Sequence, residues 1–275
     1  MLRSRAELQR LIDWVADEPN DLRVVSEDYD ENLAVAVRYF AGDAGVTVVG
    51  TVNEKGVLVP EFYFPCLKTN VISSDAEIRV EKEATRNGRI GMCDDYRLGM
   101  PLIFTVQNVA DAAETSEPFH SVSLAMLLSD AVVLLPTVDG TDETLALPTD
   151  DAEEKTEELM KAAENDPEAL QRYAREAIDR YERFMNRIQE TDILTLVNSF
   201  FMPHGMDSEC YYFLGTIRSC RDFFNKLTGE RYYRMTLEAN GVPFTASISE
   251  ADLTGAPQEG YRLRGHGWLQ GNVKP

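Results

Sequence analysis

The segment GYRLRGHGWLQGNVKP, residues Gly260 to Pro275, has a clear strand pattern. Successive side chains of a strand point to opposite faces, so Tyr261, Leu263 and Leu269 share one face. The opposite face carries five residues that can bind through charge, stacking or hydrogen bonds: Arg262, Arg264, His266, Trp268 and Gln270. One face therefore resembles a core face, and the other resembles a binding face.

The residues before this segment predict the rest of a small β-barrel. CYYFLGTIRSC, ERYYRMTLE and VPFTASI have strand composition, and SEADLTG predicts a helical turn before the last strand. Glycines stand where a barrel must bend. Four strands with a short helical turn before the last predict an OB-like β-barrel domain over residues 206–275.

The first half of the chain predicts an antiparallel β-rich domain over residues 1–136. Ser4 and Glu7 form a capping box at the start of a helix. LAVAVRYF, VTVVGTVN and VLVPEFYFP then predict a meander of strands joined by turns. AEIRVEKEA predicts an exposed strand and PLIFTVQNV a buried one, whereas FHSVSLAMLLSDAVVLLP predicts a helix followed by a strand.

Residues 137–205 predict an acidic helical connector. TVDGTDETLALPTDD has linker composition, and Asp166 with Pro167 then begins a helix with an apolar stripe. DILTLVNSFFMPHG predicts one more helix, from Asp192 to Pro203. The fold class predicted for the whole chain is therefore α+β.

The charge distribution restricts the partners. The net charge is −20, and residues 139–192 alone contribute −10, while residues 206–275 are neutral. Because acidic surfaces repel phosphate, nucleic-acid binding is not expected of the whole chain. The sequence has neither a long apolar run of membrane-span length nor a signal peptide, so we expect a cytoplasmic protein without a membrane partner.

Motifs for several kinds of chemistry are missing from the sequence. The four cysteines form no C-x-x-C pair, and the three histidines form no H-x-x-x-H pair, so neither a metal site nor a cofactor is expected. The phosphate-binding patterns G-x-x-x-x-G-K-[ST] and G-x-G-x-x-G are also missing. ATP hydrolysis and dinucleotide redox chemistry are therefore not expected.

Two weak catalytic candidates remain. Asp94 and Asp95, followed by Arg97, could hold a hard cation or tune a general base. They would share a site only on a turn, and a capped turn with Arg97 as salt-bridge partner is the favoured interpretation. His204 in MPHG has no serine or cysteine motif nearby to complete a triad, and a residue at a domain junction is favoured there.

Several motifs resemble those of an uncharacterised Firmicutes family that is typical of gut Lachnospiraceae, domain of unknown function 3881. They are FYFPCLKTN, GMCDDYRLGMPLIFTVQN, RIQETDILTLVNSFFMPHGM and the run from YYFLGTIRSC to GHGWLQG. The similarity covers nearly the whole chain. It implies a bacterial cytosolic protein from an anaerobe, and it implies no activity, catalytic residue or cofactor.

The leading hypothesis is a noncatalytic binding or adaptor protein with a protein partner. One alternative is an enzyme with a carboxylate site at Asp94 and Asp95. Another is single-stranded nucleic-acid binding by residues 206–275, with Trp268 and Arg264 as contacts. The terminal face could instead dock against the acidic helices of the same chain, with Trp268 packed at the domain interface, and this interpretation is favoured.

Overall fold

The computed structural model describes residues 4–27, 31–83, 86–115, 118–136, 199–204 and 209–275. Within these ranges the molecule is mostly β, with fourteen strands and two α-helices. None of the described helices is long and apolar enough to cross a membrane.

The first helix begins at the predicted capping box. The Ser4 hydroxyl accepts a hydrogen bond from the backbone N–H of Glu7 at 3.2 Å, which satisfies a free donor at the helix start. Helix α1 (Arg5–Asp17) buries Ile12 and Val15 in an apolar cluster shared with the following sheet. This helix and its start are confirmed.

The three predicted meander strands are confirmed, and an additional strand before them, which was not predicted, completes a four-stranded antiparallel sheet in chain order. One face packs against α1, and the opposite face, the inner face, packs toward the rest of the molecule. Its strands are β1 (Asp21–Glu27), β2 (Glu31–Ala41), β3 (Ala44–Val52) and β4 (Leu58–Leu67).

A second sheet contains the remaining strands. The exposed and buried strands expected after the meander are present, and a short helix follows them. These elements are β5 (Ile78–Lys82), β6 (Arg89–Asp95), β7 (Met100–Val106), α2 (Val109–Glu114) and β8 (Ser121–Leu134). After the connector come β9 (Phe200–Pro203), β10 (Cys210–Phe224), β11 (Arg231–Ala239), β12 (Val242–Ser249), β13 (Leu253–Thr254) and β14 (Arg262–Lys274).

Five of these strands close into a barrel in the cyclic order β8, β12, β11, β10, β14. Strand β14 closes it, because it pairs with β10 on one side and with β8 on the other, from Arg262 opposite Leu134 to Lys274 opposite Ser121. The β12–β8 pair is parallel, and the other pairs are antiparallel. Strands from both predicted domains, 1–136 and 206–275, therefore form this barrel.

The prediction of a helix followed by a strand in FHSVSLAMLLSDAVVLLP is wrong, because Ser121–Leu134 form the single strand β8. Residues Val122 to Met126 are all buried, because one face lies in the barrel core and the other is covered. A strand that is buried on both faces loses the alternation of polar and apolar residues, so its sequence resembles a helix. The barrel consequently has one strand more than the four predicted.

Close packing inside the barrel explains two glycines of β14. A Cβ on Gly271 would lie 2.6 Å from the ring of Phe104, and one on Gly267 would lie 2.5 Å from the backbone oxygen of Leu127. Both distances are far below van der Waals contact. These positions therefore accommodate a neighbouring ring and a neighbouring backbone.

The meander is tied to the barrel by polar contacts at the turn between β2 and β3. The Tyr232 hydroxyl donates a hydrogen bond to the backbone oxygen of Ala41, and Arg234 pairs with Asp43. Trp268 of β14 also packs against the inner face of the meander. The meander and the barrel thus belong to one compact unit, which comprises residues 1–135 and 199–275.

Most of the predicted connector, 137–205, lies outside the described residues. The helix predicted from Asp166 falls in this range. Of the last predicted helix, residues 199–204 are described, and Phe200–Pro203 form strand β9, which pairs with β10. The helical prediction is wrong for these four residues, because antiparallel pairing with the next strand in the chain overrides the local helical pattern.

Candidate functional site

The five residues singled out on β14 do share one face, the outside of the barrel. Leu263 and Leu269, on the other face, lie in the barrel core. The outer face is divided into a covered part, near the meander, and an accessible part. The division decides which of the five side chains can contact a ligand.

Trp268 and Gln270 lie in the covered part. The Trp268 ring meets the Phe64 ring of β4 edge to face, with centroids 6.2 Å apart, and its Nε1 donates to Thr105 Oγ1 at 3.1 Å. Gln270 is fully buried and donates to the backbone oxygen of Pro65 at 2.7 Å. The described contacts of Trp268 are thus with the meander and β7, whereas docking on the acidic helices stays a prediction.

Arg262 is also buried, with 5% of its surface exposed. Its Nε donates to the backbone oxygen of Leu135 at 3.1 Å, and burial lowers the pKa of its guanidinium. The side chain therefore anchors the end of β8. It is not available as a contact for a ligand.

Arg264 and His266 lie in the accessible part, among residues of β9 and β10. The ring centroids of His266 and Tyr212 are 4.6 Å apart, and those of His266 and His204 are 4.9 Å apart. Tyr212 pairs with Met202 on its other side. We call this set of five, Met202, His204, Tyr212, Arg264 and His266, the outer barrel surface.

The structure does not bring Asp94 and Asp95 together. They are successive residues of β6, with Asp94 exposed on one face and Asp95 buried on the other. Asp95 accepts hydrogen bonds from the backbone N–H, Nε and Nη2 of Arg97 at 3.0, 2.9 and 2.5 Å. These hydrogen bonds outweigh the effect of burial and lower the pKa of Asp95 to about 2.

Arg97 joins this carboxylate to two other loops. Its Nη1 donates to the backbone oxygen of Gly241 at 2.7 Å, and its Nη2 donates to that of Ser73 at 2.6 Å. The pair therefore fastens the β6–β7 turn to the β11–β12 hairpin. This geometry is that of a capped turn, and it lacks the water access and raised pKa of a general base.

His204 takes part in a different cluster from the aspartates. Its recorded ring contacts are with Tyr212 and His266, on the outside of the barrel. The described contacts include none between His204 and Asp94 or Asp95. In the part of the chain that the structure describes, no group of three or more histidine, cysteine or acidic residues is arranged to hold a metal ion.

Sequence reasoning missed a cleft of about 490 Å³, which we call the meander cleft. Its floor is the inner face of the meander, with Val35, Val37 and Tyr39. Its walls are α2, the loop before α2 and the end of β14. Because the lining residues come from several distant segments, no local motif indicates this cleft.

A chain of buried amides holds the back wall of the meander cleft in place. Gln107 donates to Gln270 Oε1 at 2.6 Å and to the backbone oxygen of Leu67 at 3.1 Å. Asn272 donates to Gln107 Oε1 at 3.1 Å. These bonds connect β4, the end of β7 and β14 across the back of the cleft.

The titratable groups on the cleft floor are neutral at physiological pH. Burial raises the pKa of Tyr39 to about 12, with further contributions from Cys66, Asp21 and Asp43. Burial also raises the pKa of the Cys66 thiol to about 11, against opposing hydrogen bonds from Thr47 and Gly45. Because a thiol attacks as the thiolate, Cys66 is not an activated nucleophile. The floor is suited to binding.

The fold and these sites define a mostly β protein, built on a closed five-stranded barrel that carries a meander. The chain belongs to the family described as "Domain of unknown function, E. rectale Gene description (DUF3881)", whose model matches residues 1–271. The resemblance inferred from the sequence is thereby confirmed. Neither the curated proteins nor the solved structures gave a match.

Proposed function

We propose that this chain is a noncatalytic binding protein that holds a protein partner on its outer barrel surface. The observation that carries the proposal is the uncovered row of side chains across β9, β10 and β14. Met202 is 52% exposed and Tyr212 is 42% exposed, and the two residues lie opposite each other on the paired strands β9 and β10. Exposed apolar side chains that lie next to one another are typical of protein-binding surfaces.

The composition of this surface supports a protein partner. Methionine, tyrosine and arginine are enriched at the centres of protein interfaces, where a few such residues supply most of the binding energy. Arg264 has no carboxylate within ion-pair distance among the described residues, so it can pair with an acidic group of the partner. We therefore propose a partner that places an apolar side chain on Tyr212 and a carboxylate near Arg264.

His266 gives further support. Its Nε2 is shielded from solvent and has no hydrogen-bond partner within the described part of the chain. A shielded polar atom without a partner costs stability, and such costs are frequent at functional surfaces. The outer face of β14 offers little for single-stranded nucleic acid, because three of the five residues singled out there, Arg262, Trp268 and Gln270, are occupied by contacts within the chain.

The proposal is tested with the tagged full-length chain, incubated with native cell extract with and without nuclease. A stoichiometric protein that survives nuclease should be lost with Tyr212→Ala and with Arg264→Ala. Tyr96→Ala is the matched control, because Tyr96 is 92% exposed on the β6–β7 turn, outside the outer barrel surface. Equal loss with all three variants, or no partner, would contradict the proposal, and loss with nuclease alone would favour nucleic acid.

A further inference from the structure

Three aromatic rings contact one another on the outer barrel surface. Tyr212 of β10 pairs with His266 of β14 on one side and with Met202 of β9 on the other, and His204 follows directly after β9. The centroid of the Tyr212 ring lies 4.6 Å from that of His266 and 5.1 Å from that of His204. The two imidazoles also contact each other, with centroids 4.9 Å apart. One tyrosine ring therefore holds two histidines side by side.

The backbones of both histidines are fixed by the sheet. His266 lies opposite Tyr212 in the antiparallel pair of β10 and β14. The backbone N–H of His204 donates to the backbone oxygen of Cys210, the first residue of β10, at 2.8 Å. Ligands that are held near each other before binding lose less conformational freedom when a ligand binds.

The distance between the two imidazoles fits two ligands of one metal ion. A Zn–N bond is about 2.0–2.1 Å long and the ring centroid lies about 1.1 Å beyond the nitrogen, so each centroid would lie about 3.2 Å from the metal. At N–metal–N angles between about 90° and 110°, the two centroids are roughly 4.5–5.2 Å apart. The observed 4.9 Å lies in this range. Turning an imidazole by 180° leaves its centroid in place, so the comparison does not depend on which ring atoms are assigned as nitrogen.

His266 also supplies an unused ligand atom. Its Nε2 is shielded from solvent and makes no hydrogen bond within the described part of the chain. A neutral imidazole nitrogen is a common ligand of Zn²⁺, Cu²⁺ and Ni²⁺, whereas Mg²⁺ and Ca²⁺ prefer oxygen ligands. The donor set therefore selects a divalent transition metal.

The charges next to the histidine pair are of both signs. Arg264 lies two residues before His266 on the same face of β14, and its charge opposes the binding of a cation. Asp130 of β8 is exposed and lies opposite His266 in the pair of β8 and β14. Directly opposite residues of an antiparallel pair share a face, so this carboxylate attracts a cation and offsets the effect of the arginine.

From this arrangement we propose that His204 and His266 together bind one divalent transition-metal ion, with water at the remaining coordination positions. Two protein ligands are fewer than the three or four of an ordinary zinc site, so the affinity is moderate. The described part of the chain holds no group of three or more histidine, cysteine or acidic residues for a metal, which agrees with an open site of two ligands.

The metal site shares the outer barrel surface with the proposed protein-binding function, but it does not require a partner. The chain alone should bind the metal, and the water positions are open to a side chain of a bound partner. A titration without any partner therefore tests the metal site separately, and either proposal can fail while the other holds.

The test is isothermal titration of the untagged full-length chain with Zn²⁺, Cu²⁺ and Mg²⁺ chlorides. We expect Zn²⁺ to bind with a Kd below about 0.1 mM, Cu²⁺ to bind more tightly than Zn²⁺, and Mg²⁺ to show no binding at this pair of residues. Failure of both Zn²⁺ and Cu²⁺ to bind with a Kd below about 1 mM would overturn the proposal.

Variants assign the two ligands. His204→Gln and His266→Gln should each weaken Zn²⁺ binding by about tenfold or more, because each removes one of two ligands. His120→Gln is the matched control, because His120 is the remaining histidine of the chain and is exposed just before β8. Cys210→Ser should retain the metal. Equal effects of the three histidine variants, or loss of binding with Cys210→Ser, would overturn the assignment to two imidazoles.

Nuclear magnetic resonance of the unaltered chain tests the site independently of how these variants fold. One equivalent of Zn²⁺ should shift the ring-proton signals of two of the three histidines together, His204 and His266, and leave those of His120 in place. A shift of the His120 signals alone, or no shift of any histidine signal, would contradict the proposed site.

Discussion

The Asp95–Arg97 pair gives a prediction that separates a structural carboxylate from a catalytic one. Asp95→Asn removes the charge from a carboxyl whose side chain is 2% exposed, and it preserves the shape. The pKa of Asp95 falls from 3.8 to about 2, which corresponds to about 2.5 kcal/mol of stabilisation at neutral pH. Because the change also leaves a partly buried guanidinium without its counter-charge, the loss could reach about 4 kcal/mol.

The pH dependence of this loss has a defined sign. The pKa of Asp95 is lower in the folded state than in the unfolded state, so the stabilisation is present above pH 3.8 and is lost as the pH falls toward 2. We therefore expect the difference in the free energy of unfolding between the wild type and Asp95→Asn to shrink by about half between pH 7 and pH 3. Urea unfolding at a series of pH values measures this difference directly.

Asp94→Asn is the matched control, because Asp94 is the exposed neighbour on the other face of β6. It should change stability by less than about 0.5 kcal/mol. The reasoning would be refuted if Asp94→Asn destabilised the chain as much as Asp95→Asn. It would also be refuted if the effect of Asp95→Asn stayed constant down to pH 3, because the charge of Asp95 would then contribute nothing.

Two further predictions concern the barrel and the meander. Gly271→Ala should destabilise the chain by about 1–3 kcal/mol in urea unfolding, since its Cβ would lie 2.6 Å from the Phe104 ring, and Phe104→Leu in the same chain should recover part of the loss. An unchanged midpoint for Gly271→Ala would contradict the packing described here. At pH 8, a thiol reagent followed by mass spectrometry should modify Cys210 and Cys220, which are partly exposed, before Cys66 and Cys93, which are buried. Early labelling of Cys66 would show that the cleft floor is more open than the structure has it.

Local sequence patterns were sufficient to predict an element wherever one of its faces is buried and the other faces water. The capping box at Ser4, the meander strands and the two faces of β14 all follow from short-range rules. The pairings between strands that are distant in the chain did not follow from these short-range rules. Strand β8 pairs in parallel with β12, about 120 residues further along the chain, and no local signal specifies that pairing.

The site predictions show the same limit. The alternation on β14 correctly placed every second residue from Arg262 to Gln270 on one face. It could not show which part of that face the meander covers. The accessible part is the part next to β9 and Tyr212, and neither of these was predicted to lie beside His266. Likewise the sequence favoured a capped turn with Arg97 as salt-bridge partner, and only the structure shows that both aspartates end a strand and that Asp95 is the one bound to Arg97.

The hydrogen-bonded amides Gln107, Gln270 and Asn272 link the meander cleft to the strand that closes the barrel. Gln270 belongs to the strand that closes the barrel, and the same side chain holds Gln107 at the back of the meander cleft. Replacing a buried amide within such a network leaves its partners unsatisfied, which costs about 1–3 kcal/mol for each. A glutamine at position 270 is therefore required by the cleft wall, through Gln107, and by the contact with the meander at Pro65. The outer barrel surface has no comparable structural requirement, because the exposed side chains of Met202 and Tyr212 are not part of the barrel core.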